Sequence, residues 1–344
     1  MGVVLINNKT ILITDSKFIM KTTRHYLILT LLLFSQFHTM FAQEKKDTLQ
    51  FVHLSDLHLI FSPEIYNDSF INGRYNYFWK DSNPVKNFFK TTAPSIEADF
   101  IAITGDLIDF YEAETNDGRM LATQIEQFKR FTDSITNQTL YLTLGNHDIT
   151  SYPKGSYNQN SANMARSSWV KNVPVFSNGT YYSRIYEVGS TTYRLIFLDN
   201  SYFSGRTNKE QADFIIDIPQ LDWLKSQLKE SSYDKEIIFM HMPLPSYNSD
   251  EQTYDEYIER SRTSEFMNII TETDNSSVQV IVAGHRHKNE IHLFDFPDKP
   301  SFTQVLTGAF GNSVENWRII ELTESDIIIH EPHLSNDQLK IPLK

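Results

Sequence analysis

Five times along this chain a short, unbroken apolar run stops abruptly at a polar cluster rich in Asp, His and Asn: LQFVHLSDLH, DFIAITGD, TLYLTLGNHD, EIIFMHMP and VQVIVAGHRH. Runs of Ile, Val, Leu and Phe without polar alternation suit strands buried on both faces. Between them lie segments with apolar residues at helical spacing, roughly 116–136, 220–231 and 255–272. Strands alternating with helices predict an α/β layered fold, whose ligands gather beyond the carboxyl ends of the strands. The polar clusters stand at those ends, so the chemistry is expected there.

The final third reads differently. IHLFDF, SFTQVLTG, WRIIEL and DIIIHEP are short strand candidates with turn residues and no helix between them, which suggests a closing antiparallel run. No repeat of solenoid period and no Pro/Gly/Ser linker divides residues 43–344, so one domain is expected there. Two stretches, 60–83 and 150–160, are polar, aromatic and unperiodic, and loops of that length beside strand ends are usually functional. In them Arg74, Tyr75, Tyr77, Trp79, Tyr152, Lys154 and Tyr157 are candidates to stack on a base or sugar or to meet a phosphate oxygen. For each of them singly, surface filler is the alternative.

Composition narrows the chemistry further. With 31 Lys and Arg against 43 Asp and Glu, the net charge of −12 argues against a protein that tracks nucleic-acid phosphates by bulk electrostatics. The absence of cysteine excludes disulfides, thiolate metal sites and cysteine nucleophiles, leaving His, Asp, Glu and Asn as metal ligands. From Met20, MKTTRHYLILTLLLFSQFHTMFAQ has the layout of a secretory signal peptide: Lys21 and Arg24, an apolar stretch from Tyr26 to Phe34, and the small residue Ala42. The apolar run is far shorter than the about 20 residues a membrane-spanning helix needs. Cleavage near Ala42 is therefore expected, giving an exported, periplasmic or secreted protein with no stable membrane anchor. Residues 1–19 add nothing recognisable to that pattern, and Met20 is a candidate start of translation.

Read in order, the strand ends give Asp56-x-His58, Gly105-Asp106-x-x-Asp109, Gly145-Asn146-His147-Asp148, His241 and Gly284-His285-x-His287. A lone D-x-H triplet or strand-end histidine carries little information, but five blocks in this order do. Over about Leu49 to His330 the chain resembles the calcineurin-like metallophosphoesterases. The resemblance implies a four-layer αββα sandwich and a metal-dependent phosphoric ester hydrolase holding two metal ions, with Fe, Mn and Zn all compatible with N and O donors. It implies that Asp106 bridges the pair, that Asp56, His58 and His287 complete one site, and that Asn146, His241 and His285 complete the other. Attack in line by a hydroxide shared between the metals would follow, with His147 stabilising the phosphoryl group or protonating the leaving oxygen. Asp109 would hold His147 in the right tautomer, or else merely cap a turn. In an extended segment, alternation would turn Asp56 and His58 to one side and Leu57 into the core. Gly105, Gly145 and Gly284 each precede a proposed ligand, where a tight turn is easiest without a Cβ.

Departures from particular branches matter too. Purple acid phosphatases carry tyrosine at the position of Asp109, and protein phosphatases follow GDxxD with Arg-Gly where this chain has Phe110-Tyr111. The substrate expected is a small phosphomonoester or phosphodiester. The alternatives are a lipid head-group phosphodiesterase resembling the sphingomyelinase branch, which would want an extra apolar domain that is not visible, and a non-catalytic scaffold, which would have lost ligands. His53, His292, His330 and His333 fall outside the blocks and read as structural or exposed. The oligomeric state is left open.

Overall fold

The computed structural model describes residues 3–6, 9–12, 46–114, 120–121, 123–150, 159–201, 216–231, 233–244, 247–248, 253–254, 263–274, 276–296 and 298–343. Ahead of Lys46 this comprises one antiparallel ribbon, Val3–Ile6 with Lys9–Leu12. The export signal expected from Met20 lies outside the described residues. Residues from Lys46 to Lys344 cluster as a separate compact unit.

All five apolar runs are strands. Twelve strands build two six-stranded sheets: β1 Thr48–Leu54, β2 Phe100–Thr104, β3 Leu140–Thr143, β4 Tyr182–Val188, β5 Thr191–Phe197, β6 Lys235–Phe239, β7 Val278–Ala283, β8 Glu290–Phe296, β9 Lys299–Leu306, β10 Arg318–Thr323, β11 Asp326–His330 and β12 Asp337–Pro342. The first sheet has the order β12-β11-β10-β1-β2-β3, with β1, β2 and β3 parallel and the rest antiparallel. The second has the order β8-β9-β7-β6-β5-β4, with β9, β7, β6 and β5 parallel between antiparallel edges.

The runs are apolar throughout because each strand has two dry faces. In β6, Ile237 and Phe239 join the core that contains Phe51 and Phe100 of the first sheet. Ile238 and the following Met240 join a second core with Leu221, Leu224, Phe266 and Ile270 of the helices. The two-residue period of a strand delivers alternate side chains to opposite faces, and β5 and β7 alternate between the two cores in the same way. Between the sheets Phe51 stacks on Phe100 at 4.8 Å and meets Phe239 at 5.5 Å. Each such buried ring contributes about 1.5–3 kcal/mol.

The longer helices are α1 Asp68–Arg74, α2 Thr123–Ile135, α3 Gln159–Asn172, α4 Ile218–Glu230 and α5 Thr263–Glu272. In α2, Ile125, Phe128, Thr132 and Ile135 repeat every three or four residues and make the buried stripe. Phe128 packs on Trp169 of α3 at 5.5 Å. The start of α4 is fixed by Asp217, whose side chain accepts from the Gln220 N–H, and by Pro219 in the first turn. Among the described residues no helix is long and apolar enough to cross a membrane.

Several boundaries differ from the sequence expectation. Helix α2 begins at Thr123, not near 116, because Ala113–Glu114 and Met120–Leu121 pair as a short ribbon upstream. Helix α3 was not expected, since its sequence is polar and its buried side comprises Ala162, Ala165, Arg166, which pairs with Asp199, and Trp169. The final third is not one antiparallel run. Strands β8 and β9 complete the second sheet, with β9 parallel to β7, whereas β10, β11 and β12 complete the first. Periodicity marks a strand but not its partner, and a crossover between sheets leaves no mark in it.

Candidate metal centre

The carboxyl ends of β1, β2 and β3 in one sheet and of β6 and β7 in the other carry the polar clusters, and main-chain bonds lace these ends together. The Asp56 N–H donates to the Gly105 carbonyl at 3.0 Å, His58 N–H to Asp106 at 2.9 Å, and Gly284 N–H to His241 at 3.0 Å. The backbone there is not extended. Asp56, His58, Asp106, His285 and His287 have φ values of 55, 47, 50, 68 and 55°. Asp56 and His58 therefore reach one centre through successive left-handed turns, not through strand alternation, although Leu57 is buried as expected. Non-glycine residues in this region cost about 1–3 kcal/mol each and persist where the surroundings over-determine them, commonly at functional sites. Gly105, at φ 76°, needs its conformation, and a Cβ there would stand 2.6 Å from His241 Nδ1. Gly145 and Gly284 serve differently: a Cβ would collide with the side chain of Asp106 in the first case and of Ser55 in the second. Space, not turn geometry, excludes a side chain at those two.

The donor atoms fall into three groups, of which His58, Asp109 and His147 form one and the other two share Asp106. Of those two, one comprises Asp56, His58, Asp106 and His287, the other Asp106, His241 and His285. Asp106 Oδ2 stands 3.5 Å from His58 Nε2 and 3.2 Å from His241 Nε2. Asn146 joins the second group through Oδ1, 3.1 Å from His241 Nε2. The other oxygens are tied to the main chain: Asp106 Oδ1 accepts from His147 N–H at 2.8 Å and Asp56 Oδ2 from His285 N–H at 2.9 Å. His241 Nδ1 lies 2.8 Å from the Thr104 carbonyl, which can only accept, so Nδ1 carries a proton and in the neutral ring Nε2 is left bare toward the centre.

The charges are concentrated and dry. Burial alone would raise the Asp106 carboxyl, but His241 and the neighbouring imidazoles hold it well below the carboxylate range. Burial lowers His241, yet Asp106 and Asp56 outweigh it and push that imidazole up to about 9. His285 goes the other way, to about 3, through burial and the charge of His241. Asp56 Oδ1 is buried and makes no hydrogen bond of acceptable geometry, although it lies 3.2 Å from His287 Nε2 and 3.8 Å from His58 Nε2. The Nε2 atoms of His58 and His287 face each other at 3.4 Å. An orphaned carboxylate oxygen and two opposed ring nitrogens fit a cation better than they fit one another.

The profile of the calcineurin-like phosphoesterases matches residues 49–289. The chain belongs to that family. Its members are phosphoester hydrolases, and the match takes in every block from Asp56 to His287. No curated protein matches the sequence. Among solved structures, GAP50 of the Plasmodium inner membrane complex is similar with a TM-score of 0.49 at 14% identity, covering 87% of this chain and 90% of that one. NAD nucleotidase of Haemophilus influenzae gives 0.43 at 14%, covering 87% and 50%. The 5'-nucleotidase of Candida albicans gives 0.39 at 16%, covering 80% and 47%. The chain thus spans about half the length of these two nucleotidases.

Around the centre of this phosphoesterase, Asp109 and His147 sit in an unexpected relation. The Asp109 carboxylate bonds His58, with Oδ1 2.9 Å from His58 Nδ1, and it receives both prongs of Arg74 at 2.7 and 2.6 Å. His147 Nδ1 lies 3.5 Å from that carboxylate but 2.8 Å from the Asp109 main-chain carbonyl, which fixes its tautomer. Opposed by burial but favoured by His58, His147 and Arg74, Asp109 stays ionised far below the usual range.

Four further residues support the site and were given no role in the sequence analysis. Asp148 is buried and ties the GNHD turn down, accepting from Gly145 N–H at 2.7 Å and Ile108 N–H at 3.0 Å. Asn200 Oδ1 accepts from the N–H groups of both His241 and Met242 at 3.1 Å. Its run, RLIFLDN, has the same form as the other five and could have been found by it. Phe78 stacks on His58, ring centroids 3.8 Å apart and 20° from parallel. The fourth, Ser55, donates to the Thr104 carbonyl at 2.9 Å beneath the centre. Of the loop candidates, Arg74 is committed to Asp109, and the Trp79 indole donates to the Phe310 carbonyl at 2.8 Å. Tyr77 is exposed and Tyr75 half-buried. Tyr152, Lys154 and Tyr157 lie outside the described residues. His53 is buried between Thr307 and Thr104, a structural position.

Proposed function

We propose that this chain is an exported, metal-dependent hydrolase of small phosphomonoesters or phosphodiesters. Asp56, His58 and His287 would hold one cation, Asn146, His241 and His285 a second, and Asp106 both. The observation that carries this reading is the position of Asp106 Oδ2, one oxygen facing an imidazole of each group at 3.5 and 3.2 Å. Cations held there would offset phosphoryl charge and make water a nucleophile near neutral pH. The remaining steps fall to the protein. His147, anchored by its Nδ1–H and with its side chain 23% exposed, would present Nε2 to the phosphoryl group or the leaving oxygen, acting as a donor there when the ring is an imidazolium with both nitrogens protonated. The left-handed turns hold the ligands in place before anything binds, so little reorganisation accompanies the reaction.

The test is hydrolysis of p-nitrophenyl phosphate against bis-p-nitrophenyl phosphate by protein stripped of metal and reloaded separately with Mn, Fe or Zn. Restored turnover is expected, and the preferred substrate separates monoester from diester chemistry. Uptake of two metals with no hydrolysis of either substrate would favour a scaffold. For export, mass spectrometry of protein from the native host should find an amino terminus near Gln43. A mature chain that retains Met20 in a membrane fraction would overturn that part.

A further inference from the structure

The segment 60–83 was read above as a candidate substrate arm, but its best-placed residues face inward. Arg74, at the end of α1, applies Nε and Nη2 to the two oxygens of Asp109 at 2.7 and 2.6 Å. That two-pronged edge is the one with which an arginine grips a phosphate or carboxylate in a fixed plane. Asp109 is itself buried, with its N–H bonded to the Leu59 carbonyl at 3.0 Å. Its Oδ1 meets His58 Nδ1 at 2.9 Å, which puts the ring proton on Nδ1 and leaves Nε2 bare. Phe78, four residues after Arg74, lies flat on the His58 ring at 3.8 Å, and the Arg74 guanidinium carbon stands 5.0 Å from the Phe78 centroid.

From this we propose that Arg74 and Phe78 are positioning residues for a metal ligand: Arg74 fixes the plane of Asp109, Asp109 fixes the tautomer of His58, and Phe78 fixes the plane of its ring. The segment is then a clamp on one half of the centre. This rests on the metal reading above and names which residues outside the donor set tune it. His241 has no such clamp, since its Nδ1 bonds a main-chain carbonyl.

Mn²⁺ affinity of the metal-free full chain, measured against a competing chelator, tests the clamp alongside the melting temperature without metal. Arg74→Ala should weaken the binding of one of two Mn²⁺ ions by about 10–100-fold, the usual effect of losing an outer-shell partner, while the second ion is little affected. Arg74→Lys keeps the charge but not the fork and should recover only part of the loss. Phe78→Leu should weaken the same ion, and Lys86→Ala, an exposed control, should match wild type. Arg74→Ala with both affinities within about twofold of wild type, or Arg74→Lys indistinguishable from wild type, would overturn the clamp. Should Arg74→Ala melt well below wild type without metal, Phe78→Leu decides, and unchanged Mn²⁺ binding there would also overturn it. A wild-type chain that takes up no Mn²⁺, Fe²⁺ or Zn²⁺ would instead overturn the metal reading itself.

Discussion

The two halves of the centre are built by different means. His58 is oriented by side chains from elsewhere in the chain, Asp109 on its Nδ1 and Phe78 on its face. His241 is oriented by backbone: its Nδ1 bonds the Thr104 carbonyl, and its own N–H is received by Asn200. A carbonyl is present whatever the side chain, so the plane and tautomer of the His241 ring are insulated from substitution, although the Asn200 side chain holds its main chain. The first half can be retuned by single changes, and the segment that does so stands outside the sheets. A site can thus be rigid and still adjustable when only one of its halves orients its imidazole ring through side-chain partners.

The strongest challenge is Asp106→Asn, because that residue faces both halves. It should weaken uptake of both cations by at least about 100-fold, beyond what an outer partner costs, and hydrolysis should fall with it. Metal content by elemental analysis would check this, and retention of two metals with near wild-type turnover would remove Asp106 from its shared role. His147→Ala should lower turnover by about 10² to 10⁴ with both metals in place. Action on the leaving oxygen makes the loss greater for an alkoxide leaving group than for p-nitrophenolate, whereas equal losses would assign His147 to the phosphoryl group. Displaced metal in this variant would place it among the ligands.

Asp109→Asn and Asn200→Ala compare the halves directly. The first should weaken one cation by about 10–100-fold, and it also lowers the denaturant midpoint because Arg74 and His58 lose an ionised partner. The second leaves two buried N–H groups without their acceptor, at a cost of about 1–3 kcal/mol each, read as a lower denaturant midpoint, while cation affinity changes less. A reversed pattern would erase the distinction. The smallest effect concerns pH. In metal-free protein the His241 pKa is raised to about 9 from an ordinary 6.5. Its protonation therefore stabilises the fold fully below pH 6.5, and that contribution disappears as pH rises through 9. The metal-free melting temperature should fall more over pH 6.5–9 in wild type than in His241→Gln. Parallel curves would show that His241 carries no such charge.

The parts of this organisation that were legible in sequence are those that depend on local chemistry. A continuously apolar run ending at Asp, His or Asn marks a two-faced strand and its functional end, and every proposed ligand from Asp56 to His287 stands at such an end. Pairing was not legible, because β9 and β10 look alike yet join different sheets. Helix α3 was hidden by its polar surface and by a buried side that includes a charged residue, Arg166, beside Ala162, Ala165 and Trp169. Arg74 and Phe78 were seen only as loop residues or not at all, since nothing local tells whether a side chain turns toward solvent or toward a ligand 16 or more positions away. The left-handed backbone at Asp56 and His58 has no composition signature either, because both residues are kept for chemistry where conformation alone would prefer glycine.

The joining of strand ends from both sheets has a consequence for how the chain folds. His58 and His287 are 229 positions apart, as are Asp56 and His285, so these contacts of the centre are among the most non-local in the molecule. Contacts of that kind form late, because the loop they close must lose its entropy before they return anything. The first sheet's parallel strands can pair before β6 and β7 are in place, but the centre cannot exist until the two sheets have docked. A cation bound there would act as a cross-link between distant parts of the chain, binding the native state alone and slowing its opening far more than it speeds its formation.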